Sequence, residues 1–155
     1  MKIAKSKLVN VLIAKSILET IVVGTIALLV YLNAFPPTFK GWGEAVVETQ
    51  TIHGWVINEA RPWDRVQVQL FIDGRFWKQE VATHNRPDVF AAGWGNDPYH
   101  GYGFTTPKLP PGNHDARVYA LHGSGEGARY TLQLVGNPIK FRVEIDGSWT
   151  TDATD

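Results

Sequence analysis

The 155-residue sequence contains no cysteine. That excludes a disulfide scaffold, a thiol nucleophile, cysteine-ligated zinc or iron–sulfur centres and covalently attached c-type haem. Net charge is missing too: fifteen basic side chains balance fifteen acidic ones, so no cationic excess selects nucleic acid as a partner. The histidines His53, His84, His100, His114 and His122 lie far apart, without H-x-H, H-x-x-x-H or H-E-x-x-H spacing, so no metal site is read from them. The glycine-rich run 123–127 lacks the lysine and following helix of a phosphate loop. No G-x-S-x-G elbow occurs, and no carboxylate pair stands in a recognisable catalytic context. These absences lead to the expectation of a non-enzymatic chain without cofactor or metal.

What is present divides near residue 40. Lys2, Lys5, Lys7 and Lys15 against Glu19 leave residues 1–39 at +3, whereas eleven basic against fourteen acidic side chains leave the remainder at −3. Residues 20–39 carry no charge, with an apolar run from Ile21 to Leu32 at their centre. About 20 helical residues cross a ~30 Å hydrocarbon layer. Pro36-Pro37 ends the helix, which is expected over residues 8–35. Lys15 and Glu19 stand four apart and neutralise one another on one helix face. Thr20, Gly24, Thr25 and Ala27 offer small positions for close helix contact.

The positive-inside rule puts Lys2, Lys5 and Lys7 at the cytoplasmic face and the acidic remainder outside the cytoplasm, with Trp42 as a headgroup-level anchor. An uncleaved signal anchor in the inner membrane is therefore expected, rather than a cleaved signal peptide: Ala34, the best small residue, follows bulky Leu32 by two. No histidine lies in the helix, so it offers no usual side-chain ligand to a pigment or b-type haem.

After a linker over residues 38–43, the period changes to two. Val66-Gln67-Val68-Gln69-Leu70-Phe71-Ile72 is a one-faced strand, and Asp73-Gly74 is a strong hairpin signal before the return strand 75–82. Further strands are expected at 45–51, 53–57, 101–106, 114–121, 130–134 and 139–145, with a polar tail over 147–155. Seven or eight short antiparallel strands without a useful helix indicate an all-β sandwich over 44–146, behind one transmembrane helix.

Several motifs follow in order: Gly54-Trp55-Val56, Asp73-Gly74, Arg86-Pro87-Asp88-Val89, His100-Gly101-Tyr102-Gly103-Phe104, Leu109-Pro110-Pro111-Gly112-x-His114 and Arg117-Val118-Tyr119-Ala120. Together, over residues 50–145, they resemble an immunoglobulin-like (fibronectin-III-like) module of bacterial extracytoplasmic and glycosyltransferase-associated proteins. The resemblance implies a fold and a location, with a role as spacer, docking surface or carbohydrate-associated domain. It implies no reaction. Trp55 is expected as a core tryptophan, and Arg86 with Asp88 as a loop brace.

Residues 90–104 are the least explained by a sandwich. Phe90, Trp94, Tyr99 and Tyr102, with Trp63 from an earlier loop, form the candidate interface to protein or sugar, because aromatic loop residues need cover and dominate interfaces. The leading expectation is an accessory subunit of a larger membrane complex, for which respiratory and photosynthetic electron-transfer assemblies are natural settings. Its partners are other subunits and the lipid bilayer. The alternative is a membrane-anchored glycan- or peptidoglycan-binding module, with Asp88, Asn96 and Asp97 bonding hydroxyls. A lesser alternative is a filament subunit: residues 14–19 and the apolar helix after them resemble the processed end of type IV pilins, which predicts a mature chain starting near Lys15.

Overall fold

The computed structural model describes the backbone of residues 2–34, 38–124 and 129–151. It contains two separate units, one ending at Phe35 and one starting at Pro36.

The first unit is helix α1, Lys2–Ala34. Its stretch Lys7–Tyr31 has a mean hydropathy of 2.0 and buries nothing against protein. Isoleucine and valine are indifferent helix formers in water. In hydrocarbon the backbone has no other partner, so helix becomes the low-energy state. The hydroxyls obey the same rule: Thr20 Oγ1 donates to Ser16 O at 2.9 Å, and Thr25 Oγ1 to Ile21 O at 2.8 Å. Lys15 and Glu19 pair at 3.6 Å, as their spacing predicts. Length and composition suit a membrane span, properties that an anchor shares with a signal sequence.

The second unit is mostly β. Its strands are β1 (Phe39–Val46), β2 (Thr51–Asn58), β3 (Gln67–Ile72), β4 (Arg75–Val81), β5 (His84–Asn85), β6 (Tyr99–Thr105), β7 (Gly112–Ser124), β8 (Arg129–Leu134), β9 (Ile139–Val143) and β10 (Trp149–Thr150), with the short helix α2 (Pro87–Ala91) between β5 and β6. All pairings are antiparallel. One sheet runs β1-β2-β6-β5; the other runs β10-β9-β7-β3-β4, with β8 also on β7. Long β7 meets β9 along its first half and β8 along its second, with β3 on its other side. Inward residues from both sheets, including Ile52, Val56, Phe104, Val68, Leu70, Val118 and Phe141, form one apolar core.

Three expectations need correction. The strand count is ten among the described residues, because β5 and β10 are two-residue pairs too short to show a period. The linker at 38–43 is instead strand: β1 opens at Phe39, and the expected strand at 45–51 is the end of β1, a turn over 47–50 and the first residue of β2. The alternation was hidden because β1 presents Gly41, Gly43 and Ala45 inward. The start of the expected polar tail folds as β10, with Trp149 stacked on Phe141 at 4.2 Å in the core.

The glycines have a purpose. Gly43, Gly54 and Tyr102 lie opposite one another across three strands. A Cβ on either glycine would strike the Tyr102 hydroxyl. Tyr102 therefore lies across both, 2 % exposed, and donates its hydroxyl proton to Trp42 O at 3.1 Å. It is a core residue and not the interface residue expected; its phenol pKa is pushed far up by burial.

Side chains occupy part of the open margins of the four-stranded sheet. On one margin the Gln133 amide both accepts from Phe39 N–H (3.2 Å) and donates to Phe39 O (3.0 Å). On the other, β5 ends before Gly103. There Gly103 N–H donates to Glu80 Oε1 at 2.6 Å, and the Trp77 indole N–H donates to Thr105 O at 3.1 Å. These strand groups are thus satisfied without another strand.

The Asp73-Gly74 and Pro-Gly-x-His motifs meet in one clasp. Asp73 and Gly74 both take positive φ, as a two-residue type I′ turn needs. Asp73 Oδ2 lies 2.7 Å from His114 Nδ1, and Pro110 O lies 2.9 Å from His114 Nε2. Both ring nitrogens face acceptors, so only the imidazolium satisfies both.

Candidate interaction face

Residues on alternate positions of β1 and β2 point away from the core, and three tryptophans meet there. Trp42 and Trp55 are directly opposed across the β1–β2 ladder. Trp94 arrives from the loop after α2 and stacks on Trp55, with ring centroids 6.2 Å apart and planes at 26°. Lys40, two residues before Trp42 on the same face, holds its ammonium 2.8 Å from the Trp94 ring centroid. A cation over an indole face is attracted by the ring's negative quadrupole. On the other side of β2, Gly101 and Gly103 of β6 add no side chain to this surface.

The loop carrying Trp94 is built, not slack. Arg86 donates two hydrogen bonds to Asp88, at 2.9 and 2.6 Å. These bonds hold the Asp88 carboxyl at about 2 and push the Arg86 guanidinium upward. Pro87 then opens α2, whose Val89 is buried. Trp94 N–H donates to Val89 O at 3.1 Å, and Gly93 and Gly95 take positive φ on either side, turning the indole back over the sheet. Asp97 fixes the far end by accepting from Arg65 at 2.6 Å and from Tyr99 N–H at 2.8 Å. The Arg65 bond, with lesser help from Tyr99 N–H, lowers the Asp97 pKa.

Behind this loop lies His100, fully buried. Its Nε2 stands 3.4 Å from the Arg65 guanidinium and its Nδ1 has no partner among the described residues. Burial first, and Arg65 second, lower its pKa, so the ring is neutral at pH 7.

The expected site residues therefore separate. Trp94 joins Trp42 and Trp55. Tyr99 is half exposed on the outward side of β6. Phe90 on α2 and Trp63 in the β2–β3 connection are exposed, Trp63 at 60 %, with no ring contact to the tryptophans among the described residues. Trp55 is not the core tryptophan expected; outward Trp55 alternates with buried Gly54 and Val56. Trp42, read as a headgroup anchor, sits 44 % exposed on the tryptophan face. In α1, Thr20, Gly24, Thr25 and Ala27 are exposed, as is Lys7; the side chains of Lys2 and Lys5 lie outside the described residues.

Sequence reasoning missed Lys40 and the pairing of Trp42 with Trp55. The signal was Trp-Gly and Gly-Trp in adjacent strands, legible only once both glycines are placed inward. It also missed the outward face of the other sheet. There Phe71 makes edge contacts with Phe76 (5.7 Å) and Tyr119 (5.3 Å). Tyr130, Leu132, Val81 and Phe76 are exposed on or beside that face.

Among the described residues, no three His, Asp or Glu side chains gather to hold a metal ion. The arrangement offers stacking, cation–π and hydrogen-bonding contacts, the means of binding. No family model matches the chain, and no curated protein or solved structure matches it either.

Proposed function

We propose that this chain is a non-catalytic accessory subunit of a larger membrane complex. In this reading α1 anchors it in the inner membrane with the lysine-bearing end cytoplasmic. The β-unit is an immunoglobulin-like module outside the cytoplasm that docks on neighbouring subunits. One observation carries the reading: the Trp42–Trp55–Trp94 surface with Lys40 on a sheet side that would otherwise be expected to carry polar residues. Tryptophan is the residue type most enriched among interface hot spots, and its cost in water favours a covered state. A rigid, braced loop lowers the ordering entropy lost on docking.

Extraction in mild detergent followed by size-exclusion chromatography tests it. The chain is expected to migrate with a multisubunit particle, and the Trp42→Ala/Trp94→Ala double variant to migrate alone. Monomer-sized migration of the unaltered chain overturns the reading.

The flat Trp55–Trp94 stack favours a second reading, a membrane-anchored module that stacks sugar rings of a cell-wall polysaccharide. That reading requires monomer-sized migration together with retention on a polysaccharide column.

A further inference from the structure

A second site lies apart from the tryptophan face. The β1–β2 turn, the β6–β7 connection and the β9–β10 turn frame an open cleft of about 610 Å³. That volume falls within the range of small-molecule sites, roughly 300–1,000 Å³.

Its walls are polar on the loop side. Thr49, Thr105, Thr106 and Ser148 bring hydroxyls, and Gln50 an amide. Leu109 and Val143 supply apolar ground. Two charged side chains line it, and they are not equivalent. Asp146 is engaged in its own turn, where Oδ1 accepts from Ser148 N–H at 2.9 Å and Ser148 Oγ at 2.7 Å. Lys108 is exposed and has no ion pair or hydrogen bond among the described residues. Both side chains stay charged, and the one without a partner among the described residues is the Lys108 ammonium.

The frame is also held against its own preference. Gln50 adopts φ 52°, in the left-handed region that non-glycine residues avoid. Two bonds from different loops secure it: Thr106 Oγ1 donates to Gln50 O at 3.1 Å, and Gln50 Nε2 donates to Gly147 O at 3.0 Å. Such strain persists where surrounding contacts over-determine it, and it is concentrated at ligand clamps.

We propose that this cleft binds a hydroxyl-rich carboxylate, the chemistry of an acidic sugar residue. Lys108 takes the carboxylate, the threonine and serine hydroxyls accept hydrogen bonds from the sugar hydroxyls, and Leu109 meets the C–H face of the ring. A phosphate dianion suits the cleft less, since it calls for clustered cations or an array of backbone N–H groups. An apolar ligand would leave the hydroxyl wall unpaired.

Isothermal titration of the full chain in detergent micelles tests this, with tetragalacturonate, maltotetraose and glutarate as probes. Tetragalacturonate is expected to bind at least about tenfold more tightly than maltotetraose, which lacks a charge-assisted hydrogen bond of about 1.5–3 kcal/mol, and more tightly than glutarate, which lacks the ring hydroxyls. Lys108→Gln, at an exposed position, is expected to lose about that factor with its melting temperature unchanged. Thr106→Val is expected to weaken binding less, and Trp94→Ala not at all. The proposal is overturned if millimolar tetragalacturonate gives no binding, if Lys108→Gln binds as the parent does, or if glutarate binds equally well. A requirement for Trp94 would assign the binding to the tryptophan face and overturn it too.

Discussion

The two outward faces of the β-unit are both apolar, yet they are assembled by opposite means. On the four-stranded sheet, three large rings and one ammonium occupy little strand length, over inward glycines and a core tyrosine. On the six-stranded sheet, Phe71, Tyr119, Leu121 and Leu132 lie among the amides of Gln67, Gln69 and Gln79, over a conventional layer of inward Val, Leu and Ile. The first face needs a loop folded over it and two arginine–carboxylate pairs to brace that loop. The second arises from strand alternation alone. The first surface therefore depends on many dedicated contacts, and the second on almost none.

The largest test attacks the base of the tryptophan face. Gly54→Val places carbon atoms against Trp42 O and the Tyr102 ring. Overpacking of this kind is expected to cost about 3 kcal/mol, lowering the melting temperature of the β-unit by on the order of 10 °C. An unchanged melting temperature in calorimetry would show that Tyr102 does not depend on the glycine pair.

A smaller effect separates the two faces directly. Trp94→Ala is expected to cost about 2 kcal/mol by uncovering Trp55, whereas Phe76→Ser on the six-stranded sheet should cost under about 1 kcal/mol. Urea titration followed by circular dichroism measures both. Equal losses would erase the distinction drawn between the faces.

Two buried histidines, one in each sheet, answer pH in opposite directions. His114, in the six-stranded sheet, has its pKa raised: burial opposes protonation, but the bonds to Pro110 O and Asp73 outweigh it. Its stabilising contribution is present below about 6.5 and is lost as pH rises through the raised value. His100, in the four-stranded sheet, has a lowered pKa. Its contribution is present above about 6.5 and is lost as pH falls through the lowered value. Between pH ~5 and ~8, melting temperature relative to the parent should therefore fall on acidification in His114→Gln and on alkalinisation in His100→Gln. Parallel profiles for the two variants would contradict the assignment.

The smallest effect concerns Lys40. Lys40→Met keeps the aliphatic stem and removes the ammonium, and should cost about 0.5–1 kcal/mol. A double-mutant cycle with Trp94→Ala should return that coupling, and a value near zero would show that the cation contributes nothing to holding the ring.

Much of the β-unit was legible in the sequence where side chains announce it. Val66 to Ile72 alternates cleanly, and Asp73-Gly74 sits where a hairpin must turn. β1 was not legible, because glycine carries no hydropathy signal and half of its inward positions are glycine. β5 and β10 are shorter than any period. The site was legible in part: loop crowding pointed to Trp94, but nothing local distinguishes Tyr102, which enters the core, from Tyr99, which stays outside. That difference is set by strand phase, fixed by ladder partners more than 40 residues away. The histidine clasp could not be read at all, since Asp73 and His114 are brought together only by the pairing of β3 with β7.

The side-chain closures at Phe39, Gly103 and Thr105 bear on what happens when the protein is overproduced by itself. Sticky faces and sealed margins lead to different kinds of self-association. Two such molecules can stack through their aromatic surfaces, but these margins resist zipping strand to strand, because Gln133, Glu80 and Trp77 already occupy backbone groups that a foreign strand would need. Overproduced alone, the β-unit should form soluble, reversible oligomers that disperse on dilution instead of fibrils that seed their own growth.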